Sequence, residues 1–252
     1  MIRLKNEKQI DGIRKSCKLL AHMFEEIIPK IEPGMSTKDI DDLAVKFIKA
    51  NGGKPAWYTV DFPGALCISV NNEVIHGIPS KNRKIKEGDI VSLDCGTILD
   101  GFCGDSCYTF CVGEVSPEIK QLLKTTKESL YKAILTSIPG KRLGDIGYAV
   151  QQHCESQGYG IVREFVGHGI GRTMHEDPQI PNYGKQGTGK QLKNGMCLAI
   201  EPMVTMKSPE LYMLPDKWGV ITRDKLPAAH FEHTIAIHHG KADILSTFEE
   251  IE

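Results

Sequence analysis

The chain has 252 residues, 40% of them hydrophobic and 25% charged, with a formal net charge of −1; it is an ordinary globular composition, long enough for one large domain or two tightly packed halves. Near-neutrality excludes a general electrostatic pull toward nucleic acid or membrane. The opening MIRLKNEKQIDGIRK has no apolar signal core, no stretch approaches the roughly 20 apolar residues of a membrane span, and eight cysteines without a signal read as free thiols in a reducing cytoplasm.

Asn6 to Ile28 reads as a long amphipathic helix, with Ile10, Ile13, Cys17, Leu20, Phe24 and Ile27 on one stripe. A second opens at Ser36-Thr37-Lys38-Asp39 and stops near Asn51-Gly52-Gly53. The apolar strand Ile90-Val91-Ser92-Leu93 ends at Asp94, and Leu99-Asp100-Gly101-Phe102 turns the chain back through Asp105. A two-residue turn at Asp100-Gly101 sets Asp105 opposite Gly96 and diagonal to Asp94, within about 8 Å at the backbone. Cys103, Cys107 and Cys111 share strand parity with Asp105, but Cys103 and Cys107 stand about 13 Å apart at roughly 3.3 Å per residue, so they read as small buried side chains rather than one metal cluster. Ser116-Pro117 caps a third helix that runs to Pro139, and a fourth fills Leu143 to Gln157.

The next stretch, VREFVGHGIGRTMHEDP at 162–178, is too rich in glycine for a helix and too polar for a core strand. His168 and His175 lie two helical turns apart without a helical pattern, so they do not share a helix face as in HExxH zinc proteases. KNGMCLAIE ends an apolar strand at Glu201, and HFEHTIAIHH is a strand-like run around Glu232.

Internal repetition organises these elements. Pro33-Gly34, Asp39-Ile40 and Gly52 recur as Pro139-Gly140, Asp145-Ile146 and Gly158 at a constant offset of 106 residues; KEGDIVSLD, ending at Asp94, recurs as KNGMCLAIE, ending at Glu201. His76-Gly77-Ile78-Pro79 echoes His168-Gly169-Ile170-Gly171. The grammar of helix, helix, strands occurs twice with no Gly-, Ser- or Pro-rich linker between. We therefore expect an α+β chain forming a single domain over 1–252, its pseudo-repeat halves about 1–112 and 113–252 related by a pseudo-twofold axis around a mostly antiparallel sheet.

Taken singly, Asp94 or Glu201 reads as a turn or cap residue, and His76 or His175 as an ordinary satisfied polar side chain. The set is different: repeat-related acids at the ends of apolar strands, with an HG motif in each half. Buried like charges are costly without a compensating cation, and a site of carboxylates and imidazole suits Mn, Fe(II) or Co better than a closed sulfur-bound zinc site.

HGIP at 76, Asp94 with GFCGD up to 105, GHGIGRTMHEDP at 167, AIEPM at 199 and FEHT at 231 resemble the type I methionine aminopeptidases, metallopeptidases of the pita-bread fold. The resemblance runs in order along nearly the whole chain. It implies that Asp94, Asp105, His168, Glu201 and Glu232 bind two divalent metals (Co, Mn or Fe(II), with Zn and Ni as further candidates). It also implies that Glu201 takes the proton of a metal-bridging water, and that His76 and His175 contact the peptide. Phe62, Cys67, Met174 and Trp218 match positions lining a methionine slot. Thr59, Met174 and His230 stand where tyrosine, phenylalanine and glutamine are common, which alters the shape of that pocket. The implied activity is excision of N-terminal methionine from nascent chains when the second residue is small.

Two other readings have discriminating features. Proline-specific relatives of this fold carry an additional N-terminal domain, and non-catalytic pita-bread binding modules lose ligands, whereas all five are present here. Work on nascent chains implies transient ribosome contact, to which Lys5, Lys8, Arg14, Lys15 and Lys18 offer a basic edge; a solvated helix face is the plainer reading of those charges. The remaining expectations are a monomer without nucleic-acid specificity or membrane association, of compact bacterial type.

Overall fold

The computed structural model describes residues 1–248. Among the described residues, three of the four α-helices start at a side-chain cap. Asn6 accepts from the Gln9 backbone N–H and Gln9 returns the bond, opening α1 (Glu7–Ile27); Ser36 and Asp39 do the same for α2 (Thr37–Ala50). Strands β1 (Lys54–Pro55), β2 (Cys67–Val70), β3 (Glu73–Ile75), β4 (Ile90–Leu99) and β5 (Phe102–Cys111) follow. Ser116 and Pro117 begin α3 (Pro117–Thr136), and α4 spans Leu143–Glu155. The third helix stops short of Pro139 because the residue before a proline is kept out of the helical region, and the Ser137 hydroxyl caps by donating to the Ala133 carbonyl. Ten strands complete the chain: β6 (Gly160–Ile161), β7 (Gly167–Gly169), β8 (Glu176–Ile180), β9 (Cys197–Ile200), β10 (Met203–Thr205), β11 (Leu211–Met213), β12 (Val220–Thr222), β13 (Ala228–His230), β14 (Glu232–His238) and β15 (Lys241–Ile244).

The central sheet runs β1-β4-β5-β14-β9-β7-β8, with β2 also on β4 and β15 on β14. Every pairing in it is antiparallel. Two three-stranded sheets, β13-β10-β6 and β11-β12-β3, flank it. The β4–β5 hairpin turns at Asp100 (φ 50°) and Gly101 (φ 75°), both left-handed as a two-residue hairpin turn requires, and its register sets Gly96 opposite Asp105 and Asp94 opposite Cys107.

Side-chain alternation decides which face carries chemistry. On β4, Val91, Leu93 and Cys95 pack with Leu20, Phe24 and Ile27 of α1 and Ile40 and Ala44 of α2, so Asp94 points to the other face. On β14, Ile235 and Ile237 pack with Leu130 of α3 and Val150 of α4, so Glu232 points away from those helices. Burying a large aliphatic chain contributes about 1.5–3 kcal/mol, and these two cores hold the sheet against the cost of ordering an acidic face. Cys103 and Cys107 are buried and free of disulfides.

The repeated segments share backbone detail. Gly34 and Gly140 have φ of 98° and 93°, Gly52 and Gly158 of 78° and 85°. Ser36 bridges Lys84 where Arg142 bridges Gln191, and the carboxylates of Asp39 and Asp145 accept from the backbone N–H groups of Ser36 and Arg142 at 2.8 and 2.7 Å. Among the described residues, no helix is long and apolar enough to cross a membrane.

Candidate metal centre

A cavity of about 460 Å³ opens on the acidic face of the central sheet, and Asp94, Asp105, His168, Glu201, Glu232, His76 and His175 all line it. The strands explain the convergence. Asp94 and Asp105 come from adjacent β4 and β5; Glu232 begins β14, paired opposite Cys107 of β5; Glu201 follows β9, whose Ala199 lies opposite His168 of β7. Asp105, His168 and Glu232 each bring one ligand atom within 4.8 Å of the others. His168 Nε2 stands 3.7 Å from Asp105 Oδ2 and 3.5 Å from Glu201 Oε1.

Four carboxylates in this space oppose one another's ionisation. Burial first, and then the charges of neighbouring acids, push Asp94, Glu201 and Glu232 well above the usual carboxylate range; burial alone raises Asp105, against a backbone hydrogen bond from Ser106. Asp105 Oδ1 and Glu232 Oε1 are buried with no hydrogen-bond partner in the protein. Such orphaned acceptors cost free energy unless a cation or water meets them, and oxygen-rich ligands with one imidazole fit a hard or borderline divalent ion. The donor set therefore fits the metal that sequence reasoning assigned to it.

The histidines are held neutral. Burial, reinforced by His175, brings His168 down to about 3, and the same two causes bring His76 to about 4; desolvation also lowers His175. The His168 Nδ1 sits 3.0 Å from the Gly169 carbonyl, which as an acceptor fixes the proton there and leaves Nε2 as a lone pair facing the acids. His76 adopts a left-handed backbone (φ 57°), uncommon for a residue with a side chain. Gly77 makes that bend possible, since a Cβ at 77 would lie 2.1 Å from the Ile68 carbonyl oxygen. The His76 ring is then wedged edge-on among Trp57, Phe165 and Trp218 at centroid distances of 5.4, 5.7 and 6.0 Å. His175, exposed at the mouth, meets the His168 ring at 4.5 Å.

The pattern of acids and imidazoles agrees with comparison to known proteins. Residues 11–239 match the model of metallopeptidase family M24. The chain belongs to the methionine aminopeptidases of that family. It is 45% identical to the methionine aminopeptidase of Clostridium acetobutylicum over 250 residues, covering 99% of this chain and all of that one, and 46% identical to methionine aminopeptidase 1 of Bacillus subtilis over 247 residues, covering 98% and 99%. The crystal structure of methionine aminopeptidase from Rickettsia prowazekii superposes with a TM-score of 0.96 at 39% identity, covering 98% of this chain and 100% of that one. The prolidase of Pyrococcus furiosus, at 24% identity and a TM-score of 0.79, covers 97% of this chain but only 65% of its own length; it shares the fold, the pita-bread architecture. M24 membership carries with it the use of divalent metal.

On the apolar side of the site, Phe62, Cys67, Met174 and Trp218 are brought together in one cluster with Trp57, which lines the cavity. The Trp57 ring lies tilted at 54° to Phe62 with centroids 5.2 Å apart, and Phe62 in turn meets Trp218 edge-on at 5.2 Å. Met174 Sδ packs directly on Gly96, so close that a Cβ there would meet it at 2.6 Å. Trp57, Phe165 and His230 are cavity residues that sequence reasoning did not assign. His230 was marked only as a departure, yet its Nε2 is buried, lacks a hydrogen-bond partner and lies 3.7 Å from Glu201 Oε2. Its replacement of an amide is the signal that pointed there; Trp57, in a short 3-10 turn, has no periodic signature.

Lys5 is not part of the basic edge expected from the sequence, because its ammonium donates to Glu176 Oε2 at 2.9 Å with both side chains under 10% exposed. Glu176 Oε1 accepts from the backbone N–H of Arg172 at 3.0 Å. This buried pair ties the N-terminal segment to the loop carrying His175.

Proposed function

We propose that this chain removes N-terminal methionine from nascent proteins and peptides when the second residue is small, such as Gly, Ala, Ser, Thr, Pro, Val or Cys. The observation that carries the reading is the convergence of four carboxylates and one imidazole, two of their oxygens orphaned, in one cavity of a chain that aligns end to end with relatives named methionine aminopeptidase. We assign Asp94, Asp105, His168, Glu201 and Glu232 as ligands of two divalent ions, with Co, Mn and Fe(II) the preferred candidates and Zn or Ni the alternatives. When bound, the pair supplies Lewis acidity and an acidified water.

The chain's own groups do the rest. Glu201, ionised when the site holds its cations, would accept the proton the water loses and pass it toward the departing amine. His76 and His175, kept neutral, donate N–H bonds to the scissile carbonyl as negative charge develops on its oxygen. The acidic cluster attracts the free α-ammonium of the substrate, which makes the reaction an exopeptidase one. Trp57 forms the apolar wall that receives the methionine thioether, a soft group that packs well on aromatic faces, with Phe62, Cys67, Met174 and Trp218 supporting it. The fit to the second residue is steric, set where the chain passes His76.

The same reading takes 1–252 as one catalytic domain, acting as a cytoplasmic monomer with transient ribosome contact and with neither nucleic-acid specificity nor membrane attachment. Matched peptides Met-Ala, Met-Lys, formyl-Met-Ala and Ala-Pro test it, each with single divalent metals added back to stripped protein. Met-Ala is cut; Met-Lys and the formylated peptide are not. Equal cleavage of Met-Lys, or preference for Ala-Pro, rules the assignment out while leaving the metal site standing.

A further inference from the structure

The strand that begins at Glu232 in the cavity ends at His238, six residues or about 20 Å away along the strand. There the β14–β15 hairpin turns through His239 and Gly240. Consecutive residues of a strand normally point to opposite faces. His239 breaks that rule: its backbone is left-handed (φ 48°), and the turn brings its ring beside that of His238, with centroids 3.8 Å apart. Both rings face the same atom. The Glu7 carboxylate oxygen Oε1, from the first turn of α1, lies 2.7 Å from His238 Nε2 and 3.7 Å from His239 Nε2. All three residues offer a ligand atom within 4.8 Å of the others.

We propose that Glu7, His238 and His239 form a separate surface site for a borderline divalent cation of the Zn²⁺ type, joining the start of α1 to the β14–β15 turn. Two imidazoles and a carboxylate are the donor set such ions prefer. A tetrahedral ion with ligands at about 2.0–2.1 Å sets them about 3.3 Å apart, and the separations of 2.7 and 3.7 Å bracket that value. Glu7 and His239 are both exposed, so the ion reaches the site from solvent and completes its shell with water. The left-handed conformation at a β-turn position where asparagine or glycine would be easier is the strain that brings the second ring into place.

The test counts metal on the whole enzyme. Protein saturated with Mn²⁺ at the cavity is dialysed against micromolar Zn²⁺, and total manganese plus zinc per chain is measured by atomic emission. Wild type is expected to bind one equivalent more than the His238→Ala and His239→Asn variants; asparagine tolerates the left-handed turn, so the latter removes the ligand and keeps the hairpin. Glu7→Gln weakens the extra equivalent at least tenfold, and Met-Ala turnover is the same in all four proteins. In amide–imidazole NMR spectra the His238 and His239 ring signals of wild type shift on zinc addition. Equal metal counts in wild type and the histidine variants, or unmoved ring signals, overturn the proposal and leave the three residues as a hydrogen-bonded clip.

Discussion

Replacing Lys5 with methionine keeps the length of the side chain and deletes the cation from a pair whose side chains are 7% and 9% exposed. Glu176 is left with the backbone N–H groups of Arg172 at 3.0 Å and Thr173 at 3.5 Å. Removing one partner of a buried pair costs about 3–5 kcal/mol because the surviving charge is stranded; the two retained donors place this case near the lower end, about 3 kcal/mol. For a domain of this size each kcal/mol moves the melting midpoint by about 2–4 °C, giving a fall of about 6–12 °C. The damage also reaches the site, since Glu176 adjoins His175 and the turn is closed tightly: a Cβ at Gly171 would lie 2.5 Å from Glu176 Oε1 and 2.8 Å from Lys5 Cε. Lys5→Met should therefore lower kcat on Met-Ala while metal content stays full. Thermal melts by circular dichroism, run beside peptide release and metal analysis, measure all three quantities. Adding Glu176→Leu to Lys5→Met should recover most of the lost stability, because no charge then remains buried. A midpoint within about 2 °C of wild type with unchanged turnover refutes the idea that this pair holds the loop.

Other expectations concern the centre itself. Glu201→Gln should fold normally and lose nearly all turnover, since an amide neither accepts the proton nor carries ligand charge; near-normal release by the metal-saturated variant removes Glu201 from the mechanism. His175→Ala should retain its metals and lose about 2–4 kcal/mol of transition-state stabilisation, the size of one oxyanion donor, roughly 30- to 1000-fold in kcat; metal lost in proportion to activity makes His175 a ligand instead. In stripped protein, burial holds Asp94, Asp105, Glu201 and Glu232 above their unfolded values, so the folded state keeps protons that the unfolded chain releases and stability falls as pH rises. The depressed histidines act in the opposite sense only below about pH 6.5. Between about pH 6.5 and 8 the stripped protein should thus melt progressively lower and the metal-loaded protein should not; a flat profile without metal contradicts the crowding of these acids.

The parts legible in the sequence were those with local causes. Caps at Ser36 and Ser116 located two helix starts, the apolar stripe from Ile10 to Ile27 marked the first helix, and the Asp100-Gly101 turn gave the register that places Asp105 opposite Gly96. The repeat related Asp94 to Glu201 before any tertiary information, and family motifs brought in the remaining acids and histidines. What escaped was set by contacts between distant segments. Nothing local marks Trp57 as the cavity wall, Lys5 as the partner of Glu176, or His238 and His239 as neighbours of Glu7. The short flanking strands β3, β11 and β12 were equally silent, since three residues carry too little alternation to read.

The position of β14 between β5 and β9 has a bearing on how the protein comes into being. A ribosome releases β5 and β9 well before β14, so during synthesis these two strands lack the neighbour that joins them. Contacts between such distant segments form late, since the chain must close long loops first. The gap is filled by the strand that also brings Glu232, the last of the five candidate ligands. A chain that ends before β14 lacks Glu232 and so cannot present the whole acidic face. Any ion that needs all five of these side chains would have to wait for that strand, and so would meet a nearly finished fold rather than a growing chain.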